Sequence, residues 1–209
     1  MTVATIDAAG RFLLTPEEPE EAGRTREALL AQRGLSSNAD PELDAFAADL
    51  ARAAAELTGA ETLPFAMINL IGIGQEQYFA GLHVPEGRGG DRPEVVRTRQ
   101  RDLGYCVHAL DRGKALVLED VADAARYAHN SVGDGIGVRT YLGAPLIDKE
   151  TGLAFGTICV VDTQPRPWGR DGLALIRRYR DLLSDYFDTR KEHQACTTAD
   201  KPLALPLGD

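Results

Sequence analysis

The chain has 209 residues, 44% of them apolar, which suits one domain with flanking segments better than two full domains. Its net charge of −9 is lopsided: residues 1–62 hold 12 acids against 5 bases and residues 63–190 hold 17 against 16, so no basic face exists for nucleic acid. No run of eighteen apolar residues is present to cross a membrane. The opening MTVATIDAAGRFLLT is no secretion signal, and three scattered cysteines read as reduced thiols of a cytoplasmic protein.

Residues 1–38, rich in Glu, Pro and Gly, read as an acidic N-terminal arm. One helix-compatible piece, Glu20 to Arg33, stops at Gly34; its thin apolar face (Ala28, Leu29, Leu30) needs something to lean on, so an extended arm with a docking helix is expected. A strong helix begins at Asp40. Asp40 can cap it, Pro41 suits the first turn, and Glu42 and Asp44 favour the positive end of the dipole. Leu43, Phe46, Ala47, Leu50, Ala54 and Leu57 form its apolar stripe, and Gly59 stops it. PFAMINLI (64–71) and EQYFAGL (76–82) read as a hairpin turning around Gly72 and Gly74. The polar stretch 83–102 reads as a solvated loop carrying Arg88, Arg92, Arg97, Arg99 and Arg101.

The stretch from Gly104 to Asp162 holds most of the candidate chemistry. GYCVHAL predicts a short helix ended by Gly113, and residues 115–119 predict a strand. Residues 120–137 mix Ala, Asp, Tyr, His, Asn and Gly without a sustained period, as a helical turn plus loop does. Residues 138–148 and 153–162 are apolar at nearly every position, the pattern of strands covered on both faces. They face each other across a turn at Lys149–Gly152. After RPWGRDG a second long helix runs from Asp171 to about Arg190, with Leu175, Ile176, Tyr179, Leu182, Leu183 and Tyr186 as its stripe. Residues 191–209 read as a flexible tail. Strands that connect as hairpins, between two long helices, define an α+β arrangement.

From Phe65 to Arg190 the chain resembles a GAF domain, a sensory module related to PAS domains. The resemblance rests on EQYFAGL, GYCVHAL, LVLEDVADAARYAHN, VRTYLGAPL, GTICVVD, PRPW and a closing helix, in that order. It is close to the stand-alone GAF proteins of high-GC Gram-positive bacteria. It implies a five- to six-stranded antiparallel sheet, with the N- and C-terminal helices on one face and a lidded pocket on the other. The domain then occupies residues 39–190.

Several chemistries are open to the residues present. Cys106, His108 and Asp120 invite a nucleophilic reading, but positions two apart on a helix point about 200° from each other, so thiol and imidazole do not meet. Free methionine sulfoxide reductase, a GAF-fold enzyme, uses cysteines around its pocket. Cys106 falls near one such position, the lid at 127–138 has no partner cysteine, and Cys159 reads as core. His83, His108 and His129 lack zinc-site spacing, although a single histidine could hold haem. The Asn-Lys-x-Phe-Asp-Glu signature of cyclic-nucleotide GAF domains is absent, as is a phosphate-cradling glycine loop.

The reading that remains is a non-catalytic sensory or regulatory module binding a small molecule, with no cofactor and no metal expected. Its ligand-binding candidates are Tyr78, Tyr105, Cys106, His108, Asp120, Tyr127, His129, Asn130, Arg139 and Tyr141. The Asp40–Thr58 and Asp171–Arg190 helices are expected to pair in a homodimer, and a signalling partner protein is a further expectation. Two alternatives stand beside it: a methionine sulfoxide reductase-like enzyme using Cys106, and a dimerisation scaffold without ligand.

Overall fold

In the computed structural model the described residues are 2–6, 12–16, 19–35, 38–72, 76–86, 97–101, 103–127, 130 and 137–199. The elements run β1 (Thr2–Ile6), β2 (Phe12–Pro16), α1 (Glu20–Gln32), α2 (Pro41–Thr58), β3 (Phe65–Ile71) and β4 (Glu76–His83). They continue with β5 (Thr98–Gln100), α3 (Cys106–Arg112), β6 (Leu116–Leu118), β7 (Thr140–Ile147), β8 (Ala154–Asp162) and α4 (Gly169–Ala199). Strands β3–β8 form one open antiparallel sheet in the order β5-β4-β3-β8-β7-β6, so the arrangement is α+β as expected.

The terminal helices cover one face because their sequences are made for it. Asp40 Oδ1 accepts the Glu42 amide at 3.0 Å, Pro41 starts α2, and Gly59 ends it with a positive φ of 64°. The buried stripe is Leu43, Ala47, Leu50, Ala51, Ala54 and Ala55. Leu57, expected in that stripe, lies 40% exposed instead, since the small alanines sit lowest on the sheet. The approach is close enough that a Cβ on Gly81 of β4 would meet the Leu43 carbonyl oxygen at 2.5 Å. Helix α4 lies over β7 and adds Ile176, Tyr179, Leu183 and Phe187 to the same core.

Period-two alternation then splits the central strands between two cores. Ala66, Ile68, Leu70, Leu142, Ala144, Leu146, Ile158 and Val160 face the helices. Phe65, Tyr141, Cys159 and Val161 face the other way, toward α3, β6 and Tyr127, with the half-buried Met67 packed against them. Between PRPW and the sheet, Trp168 Nε1 donates to Thr140 Oγ1 at 2.7 Å, and Thr140 Oγ1 donates to the Leu118 carbonyl at 2.7 Å.

Three features differ from the sequence reading of an extended arm with a docking helix, a solvated loop and a tail after Arg190. Residues 2–16 include a two-stranded antiparallel hairpin. Helix α1 docks on the domain: Leu29 and Leu30 enter the helix-side core, and Arg26 Nε donates to the Ala154 carbonyl at 2.8 Å. Arg33 spans Asp148 (2.5 Å) and Asp188 (3.0 Å), tying α1 to the β7–β8 turn and to α4. Helix α4 continues past residue 190 to Ala199. The arginine-rich stretch contains β5, and Arg97 pairs with Asp44 at 2.7 Å; Arg88 and Arg92 fall outside the described residues.

Candidate functional site

The candidate site lies where the chain enters α3. Gly104 takes a positive φ of 122°, which turns the backbone so that Tyr105 and Cys106 face β7 and β8. Two side-chain amides hold that turn. Asn130 accepts from the Gly104 amide at 3.1 Å and donates to its carbonyl at 3.0 Å. Gln77 donates to the carbonyls of Gln100 (2.9 Å) and Leu103 (2.8 Å), and accepts from Asn69 Nδ2 at 2.6 Å.

Beneath the turn is a cavity of about 50 Å³. Its sheet side is Phe65, Met67, Gln77, Phe79, Tyr141, Cys159 and Val161; its rim includes Arg99, Leu103, Gly104, Tyr105, Cys106 and Val138. The Cys106 and Cys159 sulfurs are 3.7 Å apart, and the Tyr141 hydroxyl donates to Cys106 Sγ at 3.7 Å. Gly143 makes room for that hydroxyl, because a Cβ there would sit 2.3 Å from it. Asn69 Oδ1 and Thr157 Oγ1 are buried without a hydrogen-bond partner, an uncommon cost in a folded core.

The charges follow from this packing. The Cys106 thiol is held below its ordinary range: the hydrogen bond from Cys159 outweighs burial, and the Tyr141 hydroxyl acts in the same direction. Cys159 is pushed up for the complementary reason, as the donor of that bond in a buried place. Burial lowers Arg99, and the negative potential at Cys106 partly restores it. Burial raises Tyr105 to about 12.

Of the expected site residues, the cavity brings together Tyr105, Cys106 and Tyr141. Tyr127 stacks edge-on against Tyr105 at 6.1 Å and against His108 at 5.0 Å, one layer behind. Burial drops His108 to about 4, so it is neutral at pH 7. Asn130 shapes the turn without lining the cavity. Asp120 caps the 3-10 turn at Val121–Asp123 by accepting from the Ala122 amide at 3.0 Å, and it pairs with Arg139 at the surface. Tyr78 packs against the helix-side core. His129 lies outside the described residues. Among the described residues, no three His, Cys, Asp or Glu side chains converge as a metal site would need.

Sequence reasoning missed Cys159, Thr157, Asn69 and Gln77. The signal was present in GTICVVD: alternation puts Thr157, Cys159 and Val161 on one face and Ile158 and Val160 on the other.

The architecture is that of a small α+β module with helices on one face and a thiol-floored cavity on the other. Residues 42–184 match the family described as GAF domain, and the chain belongs to that family. Over 176 residues it is 31% identical to a cyclic di-GMP phosphodiesterase of Pseudomonas aeruginosa, a match covering 82% of this chain and 26% of that protein. The chain therefore spans about a quarter of that relative's length. The phycocyanobilin-bound GAF domain of a cyanobacterial phytochrome shares the fold at a TM-score of 0.54 and 15% identity, over 85% of this chain and 98% of that one. Free methionine-R-sulfoxide reductase from Neisseria meningitidis, solved with its substrate, shares it at 0.50 and 16%, over 86% and 96%.

These relatives correct the expectation of a non-enzyme: the curated one is named a phosphodiesterase, and the fold also serves a reductase. The second cysteine sought in the lid stands on β8 instead, 3.7 Å from Cys106. A bilin does not fit this cavity as the described residues bound it, since 50 Å³ is far below the roughly 300 Å³ of pockets for drug-sized ligands. No helix among the described residues is long and apolar enough to cross a membrane.

Proposed function

We propose that this chain is a cytoplasmic sensory and regulatory module. It takes a small input at the cavity between Tyr105, Cys106 and Tyr141 and transmits it through α2 and α4 to a second copy of itself. The observation that carries the reading is the sharing of strands between the two cores. Cys159 floors the cavity, while its neighbours Ile158 and Val160 pack under the helices, so displacing β8 at the cavity displaces it at the helix layer. The size of the cavity supports an input of a few atoms, since a water needs about 10–15 Å³ of such space.

The homodimer draws support from the helix layer. Leu57 on α2 and Leu182 on α4 are the large apolar side chains left most exposed among the described residues, at 40% and 48%. Residues 39–190 are then the working domain, with α1 clasped to it through Arg26 and Arg33. That the phosphodiesterase relative is matched over about a quarter of its length supports a regulatory unit attached to a separate output. Light scattering at micromolar concentration tests the output. A dimer that Leu182→Asp converts to monomer, with an unchanged circular dichroism spectrum, is expected. A monomeric wild type overturns the homodimer.

A further inference from the structure

Cys106 and Cys159 are 53 residues apart in the chain and come from a helix and a central strand, yet their sulfurs lie 3.7 Å apart. A disulfide needs about 2.05 Å, so closure asks for an approach of roughly 1.7 Å, within reach of a side-chain rotation and a small shift of α3. Structural thiols buried in apolar surroundings are inert because nothing favours the thiolate. This pair differs in three ways. The Tyr141 hydroxyl donates to Cys106 Sγ, Arg99 lines the same cavity, and the buried Thr157 hydroxyl, two residues before Cys159 on β8, has no hydrogen-bond partner. The two sulfurs are also unequal. Cys106 stands at the turn into α3 and Cys159 in the middle of a central strand, and only Cys106 takes a hydrogen bond from the Tyr141 hydroxyl.

We infer that Cys106 and Cys159 form a hydroperoxide-reactive dithiol that closes reversibly into a disulfide. The Cys106 thiolate attacks the peroxide O–O bond; an S–O bond forms, the O–O bond breaks, and the departing oxygen takes a proton as water or alcohol. Cys159 then attacks the Cys106 sulfenic acid. The S–S bond forms, the S–O bond breaks, and hydroxide leaves with the Cys159 proton as water. Two thiols lose two electrons and one hydroperoxide gains them, and a dithiol reductant reverses the change. The cavity of about 50 Å³ admits a molecule of hydrogen peroxide's size above the sulfurs. The lowered pKa of the Cys106 thiol agrees with its role as attacker. As the input of the module this rests on the sensory reading above; as chemistry it stands without it.

The experiment treats the full chain, in a Cys196→Ser background, with hydrogen peroxide. It counts alkylatable thiols after unfolding, maps the cross-linked peptides by mass spectrometry, and follows hydrogen–deuterium exchange of α2 and α4. The expected result is loss of both thiols, a Cys106–Cys159 cross-link, and recovery with dithiothreitol. In Cys159→Ser, Cys106 should stop at a sulfenic acid that dimedone traps. In Cys106→Ser, Cys159 should stay reduced. Tyr141→Phe, which keeps the ring packed, should slow oxidation about tenfold at neutral pH and move the rate's pH midpoint upward. Both thiols remaining alkylatable in wild type would overturn the inference, as would unchanged oxidation in Cys106→Ser. Oxidation by free methionine sulfoxide in place of peroxide would overturn the substrate class. A disulfide that leaves α2 and α4 exchange unchanged upholds the chemistry and removes the sensory coupling; a failed disulfide beside an intact dimer does the reverse.

Discussion

Ile158 and Cys159 are neighbours on β8, both fully buried, and they live in different worlds. Ile158 looks into a core of aliphatic and aromatic side chains under three helices, fastened at its edge by Arg33 between Asp148 and Asp188. Cys159 looks into a smaller core that keeps a cavity, a second thiol, and polar oxygens on Asn69 and Thr157 without partners. One face spends its residues on packing. The other tolerates unsatisfied polar groups where well-packed apolar ones would fit, which is where local rules are expected to give way to function. Stability and chemistry are thus separated by the pleat of a single strand.

That comparison can be broken most forcefully at the edge of the helix face. Asp148→Ala leaves the buried Arg33 without its main counter-ion and should cost about 3–5 kcal/mol in urea unfolding; a loss below 1 kcal/mol would mean that α1 is not fastened there. Next comes the pair of neighbours. Ile158→Ala should cost about 2–5 kcal/mol, whereas Cys159→Ala removes only a sulfur beside an existing cavity and should cost less than half as much. Equal costs would show that the two faces do not differ in kind.

The third prediction uses pH. His108 titrates near 6.5 unfolded and is lowered to about 4 in the fold, first by burial and then by Arg126. Above pH 6.5 it is neutral in both states and contributes no pH dependence. As pH falls from 6.5 toward 4, only the unfolded chain takes up the proton, so stability declines, by about 3 kcal/mol in all. Urea midpoints measured across that window should fall for wild type and flatten for His108→Met. The smallest effect is expected at Gly143→Ala. The added methyl meets the Tyr141 hydroxyl, so the cost should be about 1–3 kcal/mol, together with a slower Cys106 reaction with peroxide. An unchanged Cys106 rate would detach Tyr141 from the thiol.

Much of the fold was legible because it is written in local chemistry. Asp40, Pro41 and Gly59 bound α2, Gly113 ends α3, and the two apolar runs around Lys149–Gly152 are the central β7–β8 pair. The arm was harder to read. Leu29 and Leu30 ask for a helix that docks, but not where it docks, because the partners of Arg33 are 115 and 155 residues away. Of the site, Tyr105, Cys106 and Tyr141 could be named from the sequence because they sit in or beside the recognisable GYCVHAL and TYLGAPL runs. Tyr78, Asp120 and Arg139 were drawn to the same place by type and order, and the fold disposes of them elsewhere: one under the helices and two in a surface cap.

By itself, then, the sequence determined β3, β4 and β6–β8, the helices α2, α3 and α4, and the family, since hydrophobic period and turn residues act over a few neighbours. Tertiary structure alone decided which side chains share the cavity. Cys106 and Cys159 meet because Gly104 turns α3 over β8 and because β8's alternation points one residue in two away from the helices. Neither cause is a property of the cysteines, and no spacing between residues 106 and 159 could have announced it.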